Sequence, residues 1–364
     1  MSDQERIPVE LVFNPNWWHK TAGISFDQDF YLDPQQRITN DVLMRKVLYQ
    51  RFGALGLGEA DPQPRPVIGS TYVAGGFVIP ALLGAEILFS KDAAPQPRPV
   101  QLTPGQIDRL QKPDFRQTWP MNELIAQMDA LEAEWGYLVG DVNTDGLLNA
   151  AYHLYGVDLF TDFYTAPQRI ERLLNLIAEL IGDVSEYVRQ RTGTCSISVN
   201  RMVERVQPNL FLHANCSVPM ISPKSYRSLQ LPIEQRMAAR LQPFGIHHCG
   251  DNLQRYASAY AELPLRFVDV GWGSDVAACR QALPDAFLNL RISPVRMLNC
   301  SAAEIAADTE SLLQAAGSHE QVGVCCINMD YGTPDENIMA MVEVVESYRS
   351  QFIVKPATIG GSQT

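Results

Sequence analysis

The second half of the chain repeats one pattern, in which a short apolar segment is followed by a helical segment. The apolar segments are Phe244-Gly245-Ile246-His247 and residues 267–270, 287–290 and 322–325. Strands that are apolar on both faces and alternate with helices indicate a parallel sheet covered by helices. About eight such units fit a chain of this length, so the sequence predicts a (β/α)8 barrel, the TIM barrel. Active sites of such barrels lie in the loops after the carboxyl ends of the strands.

We expect one structural domain. Residues 1–60 are predicted to form an N-terminal extension that packs on the barrel, residues 61–355 the barrel, and residues 356–364 a C-terminal tail. Asp33-Pro34 is typical of a helix start and predicts a helix to about Phe52. A long helix is expected after Pro167, and capping boxes at Ser301 with Glu304 and at Thr333 with Glu336 predict two more. Further strands are expected at residues 135–140, 195–199 and 209–212.

The composition and the N-terminal sequence indicate which partners and which cellular compartment to expect. With 29 Lys and Arg against 41 Asp and Glu, the net charge of -12 repels a phosphate backbone and argues against nucleic acid. The N-terminus lacks the features of a signal peptide, and no stretch of about 18 apolar residues predicts a membrane span, so we expect a cytoplasmic protein. The 7 cysteines are an odd number without a short repeating framework, which favours reduced thiols or metal ligands over disulfides.

The cysteines and histidines suggest a metal centre. His247 and Cys249 end one predicted strand, and the pair Cys325-Cys326 ends another. Zinc binds imidazole nitrogen and thiolate sulfur, and three protein ligands leave the fourth position open for a substrate. The alternative is that Cys325 and Cys326 are small core residues, since free cysteine is often buried. His213 and Cys216 could form a second ligand pair, although nothing near them in sequence completes a site.

Other candidate residues lie in loops and in the aromatic N-terminal segment. Asp141, Asn143 and Asp145 follow a predicted strand and either orient a substrate or form an Asx-type turn. Trp17, Trp18 and His19 either line a pocket or form a lid over one end of the barrel. Asp269, Trp272 and Asp275 form another group near a strand end. His248 could support the metal centre, and His153 is expected to be structural.

Four segments resemble motifs of the uroporphyrinogen decarboxylase superfamily, over roughly residues 100 to 352. Residues 159–167 are similar to the segment leading into a helix of that superfamily, and Ile221-Ser222-Pro223 with Leu231-Pro232 is similar to its "ISPxxY…LP" element. Residues 290–294 stand where the superfamily has "GNLDP", and residues 333–338 resemble its "TPxEN" helix start. The resemblance implies a TIM barrel.

The resemblance also implies a chemistry. The decarboxylases carry an arginine-rich motif similar to "RQAGRYLPEY", which residues 17–23 do not match, so a porphyrinogen is not the expected substrate. The other branch comprises zinc methyltransferases that serve corrinoid proteins, such as the methylcobamide:coenzyme M methyltransferases. Its ligand pattern implies zinc on His247, Cys249 and Cys326, with Cys325 as the alternative to Cys326.

On this resemblance we expect methyl transfer between a small thiol, alcohol or methyl ether and a corrinoid such as methylcobalamin. No corrinoid-binding module is visible, so the corrinoid would be carried by a separate partner protein. Two other functions stay open: a decarboxylase or related lyase acting on a smaller acid, and a non-catalytic tetrapyrrole or corrinoid binding protein. Barrels of this kind commonly form dimers, so a homodimer is also expected.

Overall fold

The computed structural model describes residues 7–69, 76–194, 201–317 and 320–351. The strands in these ranges are β1 (Val9–Phe13), β2 (Val67–Ile68), β3 (Ile87–Leu88), β4 (Gln96–Pro97), β5 (Val139–Gly140), β6 (Phe211–Ala214), β7 (Phe244–His248), β8 (Leu265–Val270), β9 (Phe287–Arg291) and β10 (Val322–Met329). The main sheet contains six parallel strands in the spatial order β1-β10-β9-β8-β7-β6. Strands β2 and β5 form a parallel pair, and β3 and β4 an antiparallel one. The strand predicted at residues 195–199 falls outside the described residues.

Helices separate most of the strands. Their bounds are α1 (Pro15–Ala22), α2 (Gln28–Leu32), α3 (Pro34–Phe52), α4 (Val78–Leu82), α5 (Pro104–Arg109), α6 (Met121–Trp135), α7 (Leu147–Tyr155), α8 (Asp158–Thr165), α9 (Pro167–Thr192), α10 (Met202–Val206), α11 (Pro223–Ser225), α12 (Leu231–Arg240), α13 (Ala257–Tyr260), α14 (Val276–Ala282), α15 (Pro294–Asn299), α16 (Ala302–Ala316) and α17 (Asp335–Gln351). Short 3₁₀ turns lie at Gly53–Leu55, Val218–Met220 and Leu253–Arg255, and a π-helical turn at Tyr226–Gln230. None of the helices in the described ranges combines the length and apolar character needed to cross a membrane.

Local signals in the sequence place several helix starts correctly. The carboxylate of Asp33 accepts hydrogen bonds from the backbone N–H groups of Gln35 and Gln36, as expected of an N-cap. Ser301 and Glu304 form the predicted capping box of α16. The predicted capping box at Thr333 and Glu336 lacks the hydrogen bond of its first residue, because the hydroxyl of Thr333 has no partner among the described residues. Helix α17 begins at Asp335.

The N-terminal segment contributes a strand to the main sheet. Strand β1 pairs in parallel with β10, with Val9 opposite Val324 and Leu11 opposite Cys326. The first part of the expected extension is therefore built into the main sheet. The predicted tail, residues 356–364, lies outside the described residues.

Side chains alternate between the two faces of the main sheet, as the strand geometry requires. The inner face carries a cluster that includes Val12, Phe267, Phe287, Cys325 and Ile327. The residues between them join the outer core formed with the helices, which includes Leu11, Val268, Leu288, Val324 and Cys326. Because the six strands are parallel, their carboxyl ends lie at one edge of the sheet, which we call the mouth of the barrel.

Candidate metal centre

Three ligand-type side chains meet at the mouth. The sulfur atoms of Cys216 and Cys249 and a ring nitrogen of His247 all lie within 4.8 Å of one another. The strand register explains the meeting, because Ala214 at the end of β6 pairs with His247 of β7. Cys216 and Cys249 each follow one of these paired residues by two positions, so both fall just beyond the strand ends and on the inner face.

The imidazole of His247 is held in a fixed orientation from the neighbouring strand. Its Nδ1 atom lies 2.5 Å from Oδ2 of Asp269, and Asn289 Nδ2 donates to Oδ1 of the same carboxylate at 2.7 Å. These three residues lie on adjacent strands, with His247 opposite Asp269 and Asp269 opposite Asn289. Because Nδ1 is occupied by the carboxylate, Nε2 is the nitrogen available to a metal. Carboxylate partners of this kind are usual for metal-binding histidines.

The three ligand-type side chains shift one another's pKa values. A hydrogen bond from Cys216, followed by the effects of His247 and Arg291, holds the pKa of the exposed Cys249 thiol far below its ordinary value. The same hydrogen bond, together with burial, raises the pKa of Cys216. Burial lowers the pKa of His247, but Asp269 and Cys249 outweigh it and raise that pKa to about 9. Without a metal, the group is therefore a thiolate beside two proton-bearing groups, whose protons a bound cation would displace.

A hydrogen-bonded chain supports the Cys216 loop. Ser217 Oγ donates to Oδ1 of Asn149 at 2.5 Å, and Asn149 Nδ2 donates to Oδ1 of Asp145 at 2.7 Å. The same Asp145 oxygen accepts the backbone N–H of Gly146 at 2.8 Å. Burial raises the pKa of Asp145 to about 6. The chain thus connects the loop after β5 with the loop that carries Cys216.

The three polar residues after β5 have separate surroundings. Asp141 is fully buried, and its Oδ2 atom lies 2.9 Å from Nη2 of Arg201. The side-chain oxygen of Asn143 accepts the backbone N–H of Asp145 at 2.9 Å, which is the Asx-type turn that the sequence left open. Asp145 lines a cavity of about 560 Å³ at the mouth, whose other polar lining residues include Asn14, Asn16, His153 and Asn328. Of the three, it is Asp145 that faces this cavity.

The second sulfur of the cluster belongs to Cys216, whereas the sequence predicted Cys326 or Cys325. Cys326 is fully buried on the outer face of β10, among residues that pack against helices, so its thiol points away from His247. Cys325 is also fully buried and does face inward, but it is not part of the group formed by Cys216, His247 and Cys249. Strand alternation therefore directs only the Cys326 thiol to the opposite face, and among the described residues the structure brings Cys216 to His247 and Cys249.

The aromatic candidates of the N-terminal segment are packing residues in the structure. Trp17 and Trp18 are each 1% exposed, and Trp17 stacks on Phe13 with ring centroids 4.0 Å apart. His19 Nδ1 lies 2.8 Å from the carbonyl oxygen of Ile24. Trp272 is partly buried, with the guanidinium of Arg296 5.6 Å from its ring centroid. The start of the same N-terminal helix, at Asn14 and Asn16, does line the mouth cavity.

Three other histidines of the described residues, His153, His213 and His248, lie outside the cluster. His248 points to the outer face, where its Nδ1 atom lies 3.0 Å from the hydroxyl of Tyr260. His213 is fully buried, with Nε2 3.5 Å from Oε1 of Glu234. His153 Nε2 is 3.9 Å from Oδ2 of Asp145, and both residues line the mouth cavity. The residues of the possible second pair, His213 and Cys216, thus lie on opposite faces, with His213 on the outer face and Cys216 on the inner face beyond the end of β6.

Comparisons with known proteins address the fold and the family. A sequence profile of the uroporphyrinogen decarboxylase (URO-D) family matches residues 72–348. A methyltransferase from Methanosarcina mazei superposes with a TM-score of 0.63 at 17% identity, over 96% of this chain and 95% of that chain. A B12-independent methionine synthase from Shewanella sp. W3-18-1, solved in complex with selenomethionine, gives 0.52 at 8% identity, over 96% of this chain and 100% of that chain. No curated protein matches the chain. Together these likenesses confirm the TIM-barrel class.

Proposed function

Because the chain belongs to the uroporphyrinogen decarboxylase family, whose members include more than one chemistry, we propose from its site that it is a zinc-dependent methyltransferase. The proposed reaction moves a methyl group between a small thiol, alcohol or methyl ether and a corrinoid carried by a partner protein. The observation that carries the proposal is the meeting of Cys216, His247 and Cys249 at the mouth of the barrel. The names of both structural neighbours, a methyltransferase and a B12-independent methionine synthase, support the methyl-transfer part of the proposal.

The donor set fits zinc. Two sulfur atoms and one imidazole nitrogen are the ligands that zinc prefers, and hard cations such as magnesium select oxygen instead. The three residues come from two neighbouring strand ends, and one of them, Cys249, is exposed at the mouth. A fourth, open position would therefore face the side from which a substrate arrives, as in catalytic zinc sites.

The chain's own residues define what such a site does. Bound zinc supplies a Lewis acid that lowers the pKa of a coordinated thiol or makes an ether or thioether a better leaving group. Asp269 fixes the ring of His247, and Asn289 fixes the carboxylate of Asp269. Asn149 and Asp145 hold the loop that presents Cys216. The mouth cavity is lined by Asp145, which the hydrogen bonds of Asn149 connect to the loop that carries Cys216.

The decisive experiment measures metal content together with ligand variants. We expect about one zinc per chain in wild-type protein by plasma mass spectrometry, and loss of that zinc in Cys216→Ser, His247→Ala and Cys249→Ser. Cys325→Ser and Cys326→Ser are matched controls and should keep the metal. Wild-type protein should then move a methyl group between methylcobalamin and a thiol, measured by the change in the corrinoid absorbance spectrum.

Two outcomes would contradict the proposal. Wild-type protein that takes up no zinc under reducing conditions has no metal centre of the proposed kind. Protein that decarboxylates a small acid with the metal removed is a decarboxylase, which is the first of the two other functions left open by the sequence. Loss of zinc in Cys326→Ser but not in Cys216→Ser would keep the chemistry and replace the third ligand.

A further inference from the structure

A group of buried polar side chains lies on the outer face of the strands that lead to the metal ligands. Glu234 of helix α12 is fully buried there, against the end of β6. A buried carboxylate is costly unless hydrogen-bond donors surround it. The residues that surround Glu234 are each at most 2% exposed, and together with it they form what we call the outer polar network: Asn215, Tyr226, Gln230, His248 and Tyr260.

The carboxylate of Glu234 accepts hydrogen bonds from three side chains. Its Oε1 atom accepts Asn215 Nδ2 at 2.9 Å and Gln230 Nε2 at 2.6 Å, and its Oε2 atom accepts the hydroxyl of Tyr226 at 2.5 Å. Burial raises the pKa of Glu234, but His213 and the donors just named outweigh it and hold that pKa below its ordinary value. The carboxylate is therefore ionised and acts only as an acceptor.

A π-helical turn before α12 aligns the helix side of the network. Tyr226, Gln230 and Glu234 follow one another at intervals of four residues, and the π-helical turn is Tyr226–Gln230. In a regular α-helix, residues eight positions apart are rotated by about 80° around the axis. The wider π turn offsets this rotation, so all three side chains face β6. Single π turns of this kind are frequent at functional sites.

The hydrogen bonds continue in one direction from Glu234 to the loop after β7. Asn215 Nδ2, which donates to Glu234, also donates to the hydroxyl of Tyr260 at 3.3 Å. The Tyr260 hydroxyl lies 3.0 Å from Nδ1 of His248, and His248 Nε2 lies 3.3 Å from the carbonyl oxygen of Asp251. A carbonyl oxygen only accepts, so Nε2 carries the proton and Nδ1 accepts from Tyr260.

The network holds the residues that are next to the metal ligands in sequence. Asn215 precedes Cys216, and its backbone N–H donates to the carbonyl oxygen of His247 at 2.8 Å. His248 stands between His247 and Cys249. Because successive side chains point to opposite faces of a sheet, the network holds the outer face of the same backbone that presents the ligands on the inner face.

We infer that Glu234 is a positioning residue of the metal centre and, through the outer polar network, sets the separation of the Cys216 and Cys249 sulfur atoms. This inference rests on the proposed function. It adds a support on the face opposite to Asp269, which contacts the metal centre from the inner face. An apolar residue at position 234 would leave the Nδ2 group of Asn215 without its charged acceptor, and the backbone beside Cys216 would lose this restraint.

The test compares two substitutions of Glu234. Glu234→Leu removes both carboxylate oxygens at similar volume, and we expect it to lower zinc affinity about 10-fold to 100-fold. Glu234→Gln keeps one oxygen for Asn215, and the hydroxyl of Tyr226 can rotate to accept the new amide N–H. Glu234→Gln should therefore keep most of the wild-type affinity. Competition with a chromophoric chelator measures the affinities.

Cobalt(II) in place of zinc reports on the ligands themselves. The intensity of the sulfur-to-cobalt charge-transfer absorption follows the number of bound thiolates. We expect a weaker band in Glu234→Leu than in wild-type protein, because one sulfur no longer reaches the metal. Tyr260→Phe breaks the network further along, between Asn215 and His248, and should weaken the band in the same way.

A buried carboxylate elsewhere in the chain provides the matched control. Asp41 of α3 is 3% exposed and accepts hydrogen bonds from Arg45 and Arg65. Asp41→Leu should lower the free energy of unfolding, measured by urea denaturation, and leave zinc affinity and the cobalt spectrum unchanged. Where Glu234→Leu does not fold, Tyr260→Phe carries the comparison.

Three results would overturn the inference and can be told apart. Unchanged zinc affinity and an unchanged cobalt spectrum in Glu234→Leu and Tyr260→Phe, with lower stability, would make the network purely structural. Equal losses of zinc affinity in Asp41→Leu and Glu234→Leu would assign the effect to general destabilisation. Both results leave the zinc site of the wild type intact. Wild-type protein that binds neither zinc nor cobalt removes the proposed function itself, and the inference with it.

Discussion

The carboxylate of Asp269 lies 2.5 Å from Nδ1 of His247, and both side chains are buried. The pairing distinguishes the two ring nitrogens of His247. Nδ1 contacts the carboxylate of Asp269, so Nε2 is the nitrogen available to a metal. The relationship follows from the sheet, in which the two residues are paired on adjacent parallel strands. It makes Asp269 a positioning residue of the proposed zinc site.

Replacing Asp269 by asparagine should weaken zinc binding. An amide keeps the size of the side chain but removes the charge, and it can present an N–H group instead of an acceptor to the ring. We expect Asp269→Asn to lower zinc affinity about 10-fold to 100-fold, as is usual for partners of metal ligands. Competition with a chromophoric chelator measures the change. The exposed Asp285→Asn is the control, and equal affinities of the two variants would argue against the positioning role.

The hydrogen bonds of Asn149 should matter for the third ligand. Asn149→Leu keeps the approximate volume but breaks the link between Asp145 and the loop of Cys216 and Ser217. We expect zinc affinity to fall about tenfold. The same substitution at Asn122, on the exposed side of α6, serves as the control and should leave affinity unchanged. An unaffected Asn149→Leu would mean that the backbone alone holds Cys216 in place.

Much of the barrel could be predicted from the sequence because its strands are buried on both faces. The apolar runs predicted at residues 244–247, 267–270, 287–290 and 322–325 are confirmed as strands β7, β8, β9 and β10. Strand β1 was missed, since Val9–Phe13 contains the charged Glu10 and stands next to an aromatic segment. A charge that is buried inside a barrel cannot be distinguished in sequence from one on the surface.

The candidate site was harder to predict because its members meet through strand register. His247 and Cys249 are neighbours in sequence, and their spacing could be recognised directly. Cys216 precedes them by about thirty positions, and its place depends on the pairing of Ala214 with His247. The choice between Cys325 and Cys326 depends on which of them faces the inside of the barrel, and sequence motifs do not show this. Arg291 lies in residues 290–294, whose resemblance to a superfamily motif did not single out its side chain, and the lack of hydrogen-bond partners for its Nε and Nη1 atoms among the described residues is visible only in the structure.

Stability should depend on pH through Glu10. Burial raises the pKa of this carboxyl from its ordinary 4.5 to about 7, although hydrogen bonds from backbone N–H groups oppose the shift. A carboxyl whose pKa is higher in the folded state than in the unfolded state contributes its full stabilisation below about pH 4.5. This contribution is lost as the pH rises to about 7. The shift corresponds to about 3 kcal/mol of unfolding free energy.

The variant Glu10→Gln has no carboxyl to titrate at this position. We therefore expect its free energy of unfolding to fall less than that of the wild type between about pH 4.5 and about pH 7. Urea denaturation at several pH values measures how the free energy of unfolding of each protein changes with pH. The exposed Glu134→Gln should follow the wild type. Parallel pH profiles of Glu10→Gln and wild type would contradict a raised pKa at Glu10.

Trp17 should contribute to stability and not to metal binding. Its ring is 1% exposed, stacks on Phe13, and has the guanidinium of Arg51 5.3 Å from its centroid. Truncation to alanine leaves a large cavity, so Trp17→Ala should lower the free energy of unfolding by about 3–5 kcal/mol.

The zinc content of folded Trp17→Ala protein should equal that of the wild type, because the stack of Trp17 and Phe13 belongs to the outer core. Tyr137 is 47% exposed, and Tyr137→Ala provides an aromatic control with an expected change within about 0.5 kcal/mol. Urea denaturation gives the free energies of unfolding, and plasma mass spectrometry gives the zinc content.

A small loss of stability in Trp17→Ala, combined with weaker binding of a thiol substrate, would instead favour the pocket wall that the sequence left open. That result would require the aromatic segment to open when substrate binds, since both tryptophans are enclosed in the present structure.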